Sequence, residues 1–154
     1  MHTEISIDVA QSPRTVFDLA RDVSRWPSLL PHYRQVTIES HTDGSVTAMM
    51  SAVRPIWRRV GIPVWWRSQQ WAEDADPNDL RLRFKHVAGA TKGMDVTWHI
   101  RSTAAGSHVT IEHEFTRPLP LLGDDLFPRV VDRFFVRPIA GRTLATFKKL
   151  AENQ

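Results

Sequence analysis

Residues 126–151 read LFPRVVDRFFVRPIAGRTLATFKKLA, and the rest of the chain is arranged around them. A mainly apolar stripe recurs there at helical spacing: Phe127, Val130, Val131 and Phe134, then Val136, Ile139, Ala140, Thr143, Phe147 and Leu150. Asp124 or Asp125 can cap the start, and Lys148 and Lys149 lie near the end, where the helix dipole favours cations. A continuous helix of this length reaches about 39 Å at ~1.5 Å per residue, enough to cross a small domain. The stripe Phe127–Phe134 and the stripe Ile139–Leu150 point to nearly opposite sides, and their phases meet beside Pro138. Proline removes a backbone donor and crowds the preceding turn. The helix therefore either breaks or kinks at Pro138 within its own core, or its first half has a spare apolar face, carrying Phe134, that lines a cavity.

A chain of 154 residues is expected to form one domain, 1–154, with a real core. No run is apolar for the ~20 residues a membrane span needs. The start, Met1-His2-Thr3-Glu4, has no basic region followed by an apolar run, so no secretory signal is read. With no cysteine there is neither disulfide framework nor thiolate, which fits a cytoplasmic location. The net charge of +3 is spread along the chain and gives no footprint for nucleic acid. Six tryptophans stand against one tyrosine. An indole N–H needs a partner when buried, so so many of them suggest more than plain core.

Ile5, Ile7 and Val9 alternate with polar residues, which reads as a first strand. Ser12-Pro13 starts a helix that buries Val16, Phe17, Ala20 and Val23. Ser24-Arg25-Trp26-Pro27 and Pro31 allow a short second helix. Six strands follow: Arg34–Ser40, Val46–Val53, Val64–Glu73, Leu80–Val87, Met94–Ser102 and His108–Thr116. Asp43-Gly44 marks the tightest hairpin. No helix separates these strands, so an antiparallel meander is predicted. The fold class is α+β: a curved seven-stranded antiparallel sheet wrapped on a long C-terminal helix. A gap between sheet and helix would be a small-molecule cavity.

Alternation chooses the side chains facing that gap. Leu80, Leu82, Phe84 and His86 form one inner set; Met94, Val96, Trp98 and Ile100 a second; Val109, Ile111, His113 and Phe115 a third. In Val64–Trp71 either Trp65, Arg67, Gln69 and Trp71 or Trp66, Ser68, Gln70 and Ala72 face in. The first set is preferred because it puts two tryptophans on one face. His86 and His113 are either hydrogen-bonded core residues or general acid–base groups in a dry pocket, where burial keeps the ring neutral. An inward Arg67 needs an anion or sits at the rim. The Tyr33 hydroxyl can meet a ligand or cap a sheet edge.

Other templates fail. In Glu112-His113-Glu114 alternation sends the carboxylates away from the histidine, so no zinc site is read. Gly89-Ala90-Thr91-Lys92-Gly93 lacks the phosphate-loop spacing. No metal and no cofactor are expected. Two apolar loops, Arg54–Pro63 and Leu119–Gly123, should be covered or should touch a ligand, partner or membrane.

Val16-Phe17-Asp18-Leu19-Ala20, Ser24-Arg25-Trp26-Pro27, Tyr33, Gly89 with Met94 and Trp98 beyond it, Glu114-Phe115 and Thr143 to Glu152 together resemble the helix-grip fold of the START-like (SRPBCC) superfamily, over nearly the whole chain. Within it the chain is most similar to the polyketide cyclase/aromatase branch. The resemblance implies a cavity for a poly-β-keto chain or another flat hydrophobic molecule, with a pocket arginine and tyrosine assisting enolisation, ring closure and dehydration. Tyr33 matches the family tyrosine, and Trp26 and Trp98 its pocket tryptophans. The family's arginine pair reads Gln69-Gln70 here, with Arg67 nearby but out of register.

The expected function is cyclisation or dehydration of a polyketide-type ligand, with Tyr33, His113 and Arg67 as catalytic candidates that polarise a carbonyl or move a proton. Trp26, Trp65, Gln69, Phe84, His86, Met94, Trp98 and Phe134 would bind the ligand. The alternative is a non-catalytic carrier of a lipid, isoprenoid or quinone. Expected partners are the hydrophobic ligand and, at the surface, an acyl carrier protein or a membrane; the chain would be a monomer or homodimer.

Overall fold

A computed structural model describes residues 1–57, 60–89, 91–115 and 126–154. The first strand, β1 (His2–Val9), leads into α1 (Pro13–Ala20). Ser12 caps α1 by accepting from the Thr15 amide at 3.2 Å, and Pro13 occupies the first turn, where its missing N–H costs nothing. Pro13, Val16, Phe17, Leu19 and Ala20 are its buried side chains. A single 3₁₀ turn (Val23–Arg25) and α2 (Trp26–Leu29) follow, and the chain enters the meander.

The strands are β2 (Tyr33–Thr42), β3 (Ser45–Trp57), β4 (Val60–Glu73), β5 (Asp79–Gly89), β6 (Met94–Thr103) and β7 (Gly106–Phe115). Strands β2 to β7 form the predicted antiparallel meander, and β1 pairs with β7, which gives one sheet in the order β1-β7-β6-β5-β4-β3-β2. Asp43 and Gly44 both have positive φ, the backbone that a two-residue hairpin with right-handed strand twist requires. Within the segment Arg54–Pro63, read from sequence as a loop, the described residues 54–57 and 60–63 instead continue β3 and β4. Their pairing runs out to Trp57 opposite Val60, because two long strands satisfy backbone groups that a loop would leave to water. The apolar loop Leu119–Gly123 and the capping residues Asp124 and Asp125 lie outside the described residues.

Residues 126–152 form one unbroken helical rod with an irregular centre. It comprises α3 (Leu126–Val131), a π-helical turn (Asp132–Val136) and α4 (Arg137–Glu152). Pro138 does not break it. The proline sits in the first turn of α4, immediately after the π turn. One extra residue in a turn rotates what precedes it by roughly 100°, which reconciles two apolar stripes that a regular helix would aim apart. The same rotation overturns the placement of Phe134: it is 41% exposed on the outer side, while Phe135 and Val136 face the sheet. α4 is fastened along β1, where Lys148 Nζ donates to the Asp8 carbonyl at 2.6 Å and Glu152 accepts from the Ala10 amide at 2.8 Å. Asp132, in the π turn, accepts from Thr3 Oγ1 at 2.7 Å and from Arg137 Nε at 2.9 Å.

The core lies between the sheet's concave face and the helices. Phe17, Leu30, Met50, Ile100, Phe115 and Phe147 are fully buried there. Among the described residues no helix is long and apolar enough to cross a membrane.

Candidate functional site

Between the concave face and the second half of the rod the core is not closed. A hollow of about 80 Å³ is enclosed there, within a cleft of about 650 Å³ counted out to its open mouth. β5, β6 and β7 supply Phe84, His86, Met94, Trp98 and His113, as alternation predicts, and Tyr33 enters from the first position of β2. Phe135, Val136 and Ile139 close it from the rod. An engineered cavity of about 150 Å³ takes up one benzene ring. The enclosed part is smaller, so any larger ligand must extend into the mouth or widen the hollow.

Aromatic rings build the wall. Trp26 meets Tyr33 edge-on at 5.0 Å and Phe147 at 5.9 Å, and Trp98 meets Phe147 at 5.8 Å. Trp26 donates its Nε1 proton to the Ala20 carbonyl at 2.9 Å. That indole is therefore spent on anchoring α2 to the end of α1, and it offers a ligand only its ring.

Tyr33, His86, Thr91, His113 and Thr143 are the polar groups, and among the described residues no charged side chain lines the cavity. Burial drives His86 down to about 3, with a smaller push from His113, and its Nδ1 lies 2.7 Å from Thr91 Oγ1. The His86 ring stacks on Trp66 at 5.7 Å. Burial likewise lowers His113 to about 4, opposed by the nearby Asp132 carboxylate. His113 Nδ1 is buried without a hydrogen-bond partner among the described residues. Burial raises the Tyr33 phenol well above its ordinary value, with a smaller opposing pull from Thr143. At neutral pH every ionisable group that lines the cavity among the described residues is thus uncharged.

The inward face of β4 is the opposite of the preferred reading. Val64, Trp66, Ser68 and Gln70 are buried because they stand opposite Ala52, Met50, Ala48 and Phe84, the buried members of the neighbouring strands. Trp65, Arg67 and Gln69 consequently lie on the convex side. Trp65 is 54% exposed and borders a shallow outer groove with Gln35, Met49 and Ser51. Arg67 forms a two-pronged pair with Glu39, at 2.6 and 3.0 Å. Gln69 donates to Ser45 Oγ at 3.2 Å. None of these three reaches the cavity, nor does Phe134.

Trp66, Thr91 and Thr143 line the cavity but were not chosen from sequence. Trp66 belonged to the alternative phase, and Thr143 was visible only as a member of the helical stripe. His32 was missed as well. It is 5% exposed, packs its ring against Tyr33 at 5.0 Å and places Nε2 2.9 Å from Thr143 Oγ1.

A profile of the family described as "Polyketide cyclase / dehydrase and lipid transport" matches residues 1–152. The chain belongs to this family. A putative polyketide cyclase from Streptomyces cyaneus is 28% identical over 116 residues, covering 74% of this chain and 72% of the relative. The fold is shared with the Zhui aromatase/cyclase from a Streptomyces species, at a TM-score of 0.77 and 17% identity over 99% of this chain and 94% of that one. It is shared too with a STAR-related lipid transfer protein from Xanthomonas axonopodis, at a TM-score of 0.68 and 14% identity over 99% and 86% of the two chains. Both are likenesses of fold. Within the polyketide cyclase/dehydrase family, the helix-grip arrangement and the apolar hollow support binding of a hydrophobic small molecule.

Proposed function

We propose that this family member binds a neutral hydrophobic molecule of polyketide type and promotes its cyclisation and dehydration, with Tyr33 and His113 orienting the reacting oxygens and passing a proton. One observation carries this reading: a cleft whose described lining is aromatic and aliphatic, with a few polar groups, Tyr33, His86 and His113 among them, that are all uncharged. A carboxylate would enter such a place without a counter-ion, at high desolvation cost. A neutral chain would enter freely, and bending it would bring its carbonyl and enol carbons into reacting distance. Chains tethered to an acyl carrier protein would enter through the mouth.

The second reading, a carrier of a lipid, isoprenoid or quinone, draws support from Arg67, whose bond to Glu39 on the outer face leaves the cavity's described lining without a cationic acid. Native mass spectrometry of freshly purified protein, with extraction of what is bound, tests both. A short poly-β-keto thioester turned over by native protein, and bound but not turned over by Tyr33→Phe and His113→Ala, supports the enzyme. An intact aliphatic molecule bound equally by all three, with no turnover, supports the carrier. A protein that retains nothing apolar and binds nothing apolar refutes both.

A further inference from the structure

We propose that the outer side of the rod's first half is a docking surface for an anionic phospholipid bilayer, set against the turns that close the cavity. This rests on the reading that the cavity binds a neutral hydrophobic molecule, and it names the surroundings with which that molecule is exchanged.

The same turns of the rod have two sides. Phe135, Val136 and Ile139 close the cavity from within. On the outside Arg129, Val130, Arg133, Phe134 and Arg137 are all exposed, Val130 by 40% and Phe134 by 41%. Steps of four residues put the three arginines on one face, with Val130 and Phe134 beside them. The one acid in this stretch, Asp132, has a side chain only 15% exposed and is taken up by Thr3 and Arg137. Arg129 and Arg133 form no ion pair with a described residue. The strand and the turn that carry Val64 and Thr91 of the cavity lining add Ile62, 41% exposed, and Lys92, also exposed.

Cations interleaved with exposed apolar groups match the boundary between phosphate headgroups and acyl chains. Guanidinium groups grip phosphate oxygens two at a time, while a phenyl or isopropyl group enters the acyl region. Each cation near an anionic leaflet strengthens binding several-fold. A neutral apolar guest favours the same choice of partner, because it dissolves in a bilayer and not in water. Among the described residues no helix can span the membrane, so the contact is at its surface.

Flotation with vesicles tests this. Native protein should bind phosphatidylcholine vesicles containing about 30% phosphatidylserine at least tenfold more strongly than pure phosphatidylcholine, and ~0.5 M salt should remove most of that gain. Arg129→Glu with Arg133→Glu should lose at least tenfold, and Phe134→Ser about threefold. Arg34→Glu with Lys149→Glu, the same charge change on other exposed sites, should lose less than threefold. The chain has no cysteine, so Phe134→Cys gives one site for an environment-sensitive fluorophore. That label should brighten on anionic vesicles, and one at Arg34→Cys should not. N-phenyl-1-naphthylamine, a neutral apolar fluorophore, reads the cavity without vesicles and should bind the charge-reversed rod variant as it binds native protein. Equal binding to both vesicle types, or equal loss in the two double variants, overturns the proposal. Binding of a purified acyl carrier protein at this face, with none to vesicles, overturns it in favour of an acidic protein. If vesicles fail while the naphthylamine binds, the docking falls and the cavity reading stands. If the naphthylamine fails while the label at position 134 brightens, the docking stands and its role in exchange falls.

Discussion

His86 and His113 face one cavity from β5 and β7, separated by β6, and burial holds both rings far below the usual imidazole range. Neither is a strong base at neutral pH. Such rings act by hydrogen bonding and by transferring a proton to a site where charge never fully develops, which suits a cavity with no charged side chain in its described lining.

Stability should fall in mild acid. Below about pH 6.5 the unfolded chain takes up protons on His113 that the folded chain refuses until about pH 4. The contribution is complete above pH 6.5 and is lost progressively as pH falls toward 4. A difference of that size amounts to about 3 kcal/mol for this one group. Urea unfolding at pH 7.5 and pH 4.5 should show the loss, and His113→Gln should reduce it without abolishing it, because His86 and His32 are lowered by burial too. An unchanged slope in the variant would show that His113 is not the source.

Gly89 and Gly141 should respond oppositely to alanine. Gly89 has φ +91°, and a Cβ there would collide with the Trp65 carbonyl oxygen and lie 2.8 Å from Trp66 Cα, both backbone atoms. Gly89→Ala should cost at least about 2 kcal/mol and disturb the Trp66 wall of the cavity. A Cβ at Gly141, on α4, meets nothing within 4 Å, and Gly141→Ala should stabilise by about 0.5–1 kcal/mol. Thermal denaturation of the two variants reads both signs.

Arg67→Ala should leave ligand binding within twofold of native. Its pair with Glu39 is on the convex face and partly exposed to water, so stability should change little. A tenfold loss of affinity would mean that this strand turns inward in the complex.

Thr3→Val should loosen the rod where it covers the cavity. Thr3 is 2% exposed and donates to Asp132 at 2.7 Å. Losing a buried bond to a carboxylate costs about 1.5–3 kcal/mol. Amide hydrogen exchange in residues 132–136 should quicken while that of β6 does not. Uniform quickening would instead indicate global destabilisation.

The strands and most inward faces were legible because period-two alternation and turn residues report on short segments, and β5, β6 and β7 each carry one buried face. β4 was not legible from within itself. Tryptophan occurs in both of its phases, and the choice is made by Met50, Ala48 and Phe84 on strands beside it. The π turn at Asp132–Val136 was equally hidden. The conflict of stripes near Pro138 was visible, but a periodicity argument allows a break or a second apolar face, and one inserted residue is neither. Phe134 was misplaced by that single residue. The partnership of His32 with Thr143 joins positions 111 residues apart, a distance no local pattern spans.

The uncharged lining has a thermodynamic consequence. With no charged side chain in the described lining to pair with a guest, capture and release involve dehydration and dispersion, so occupancy should barely respond to ionic strength. It should respond to temperature, through the negative heat-capacity change that accompanies removal of apolar surface from water. Such a vessel is loaded and emptied by the partition of its guest between protein and surroundings.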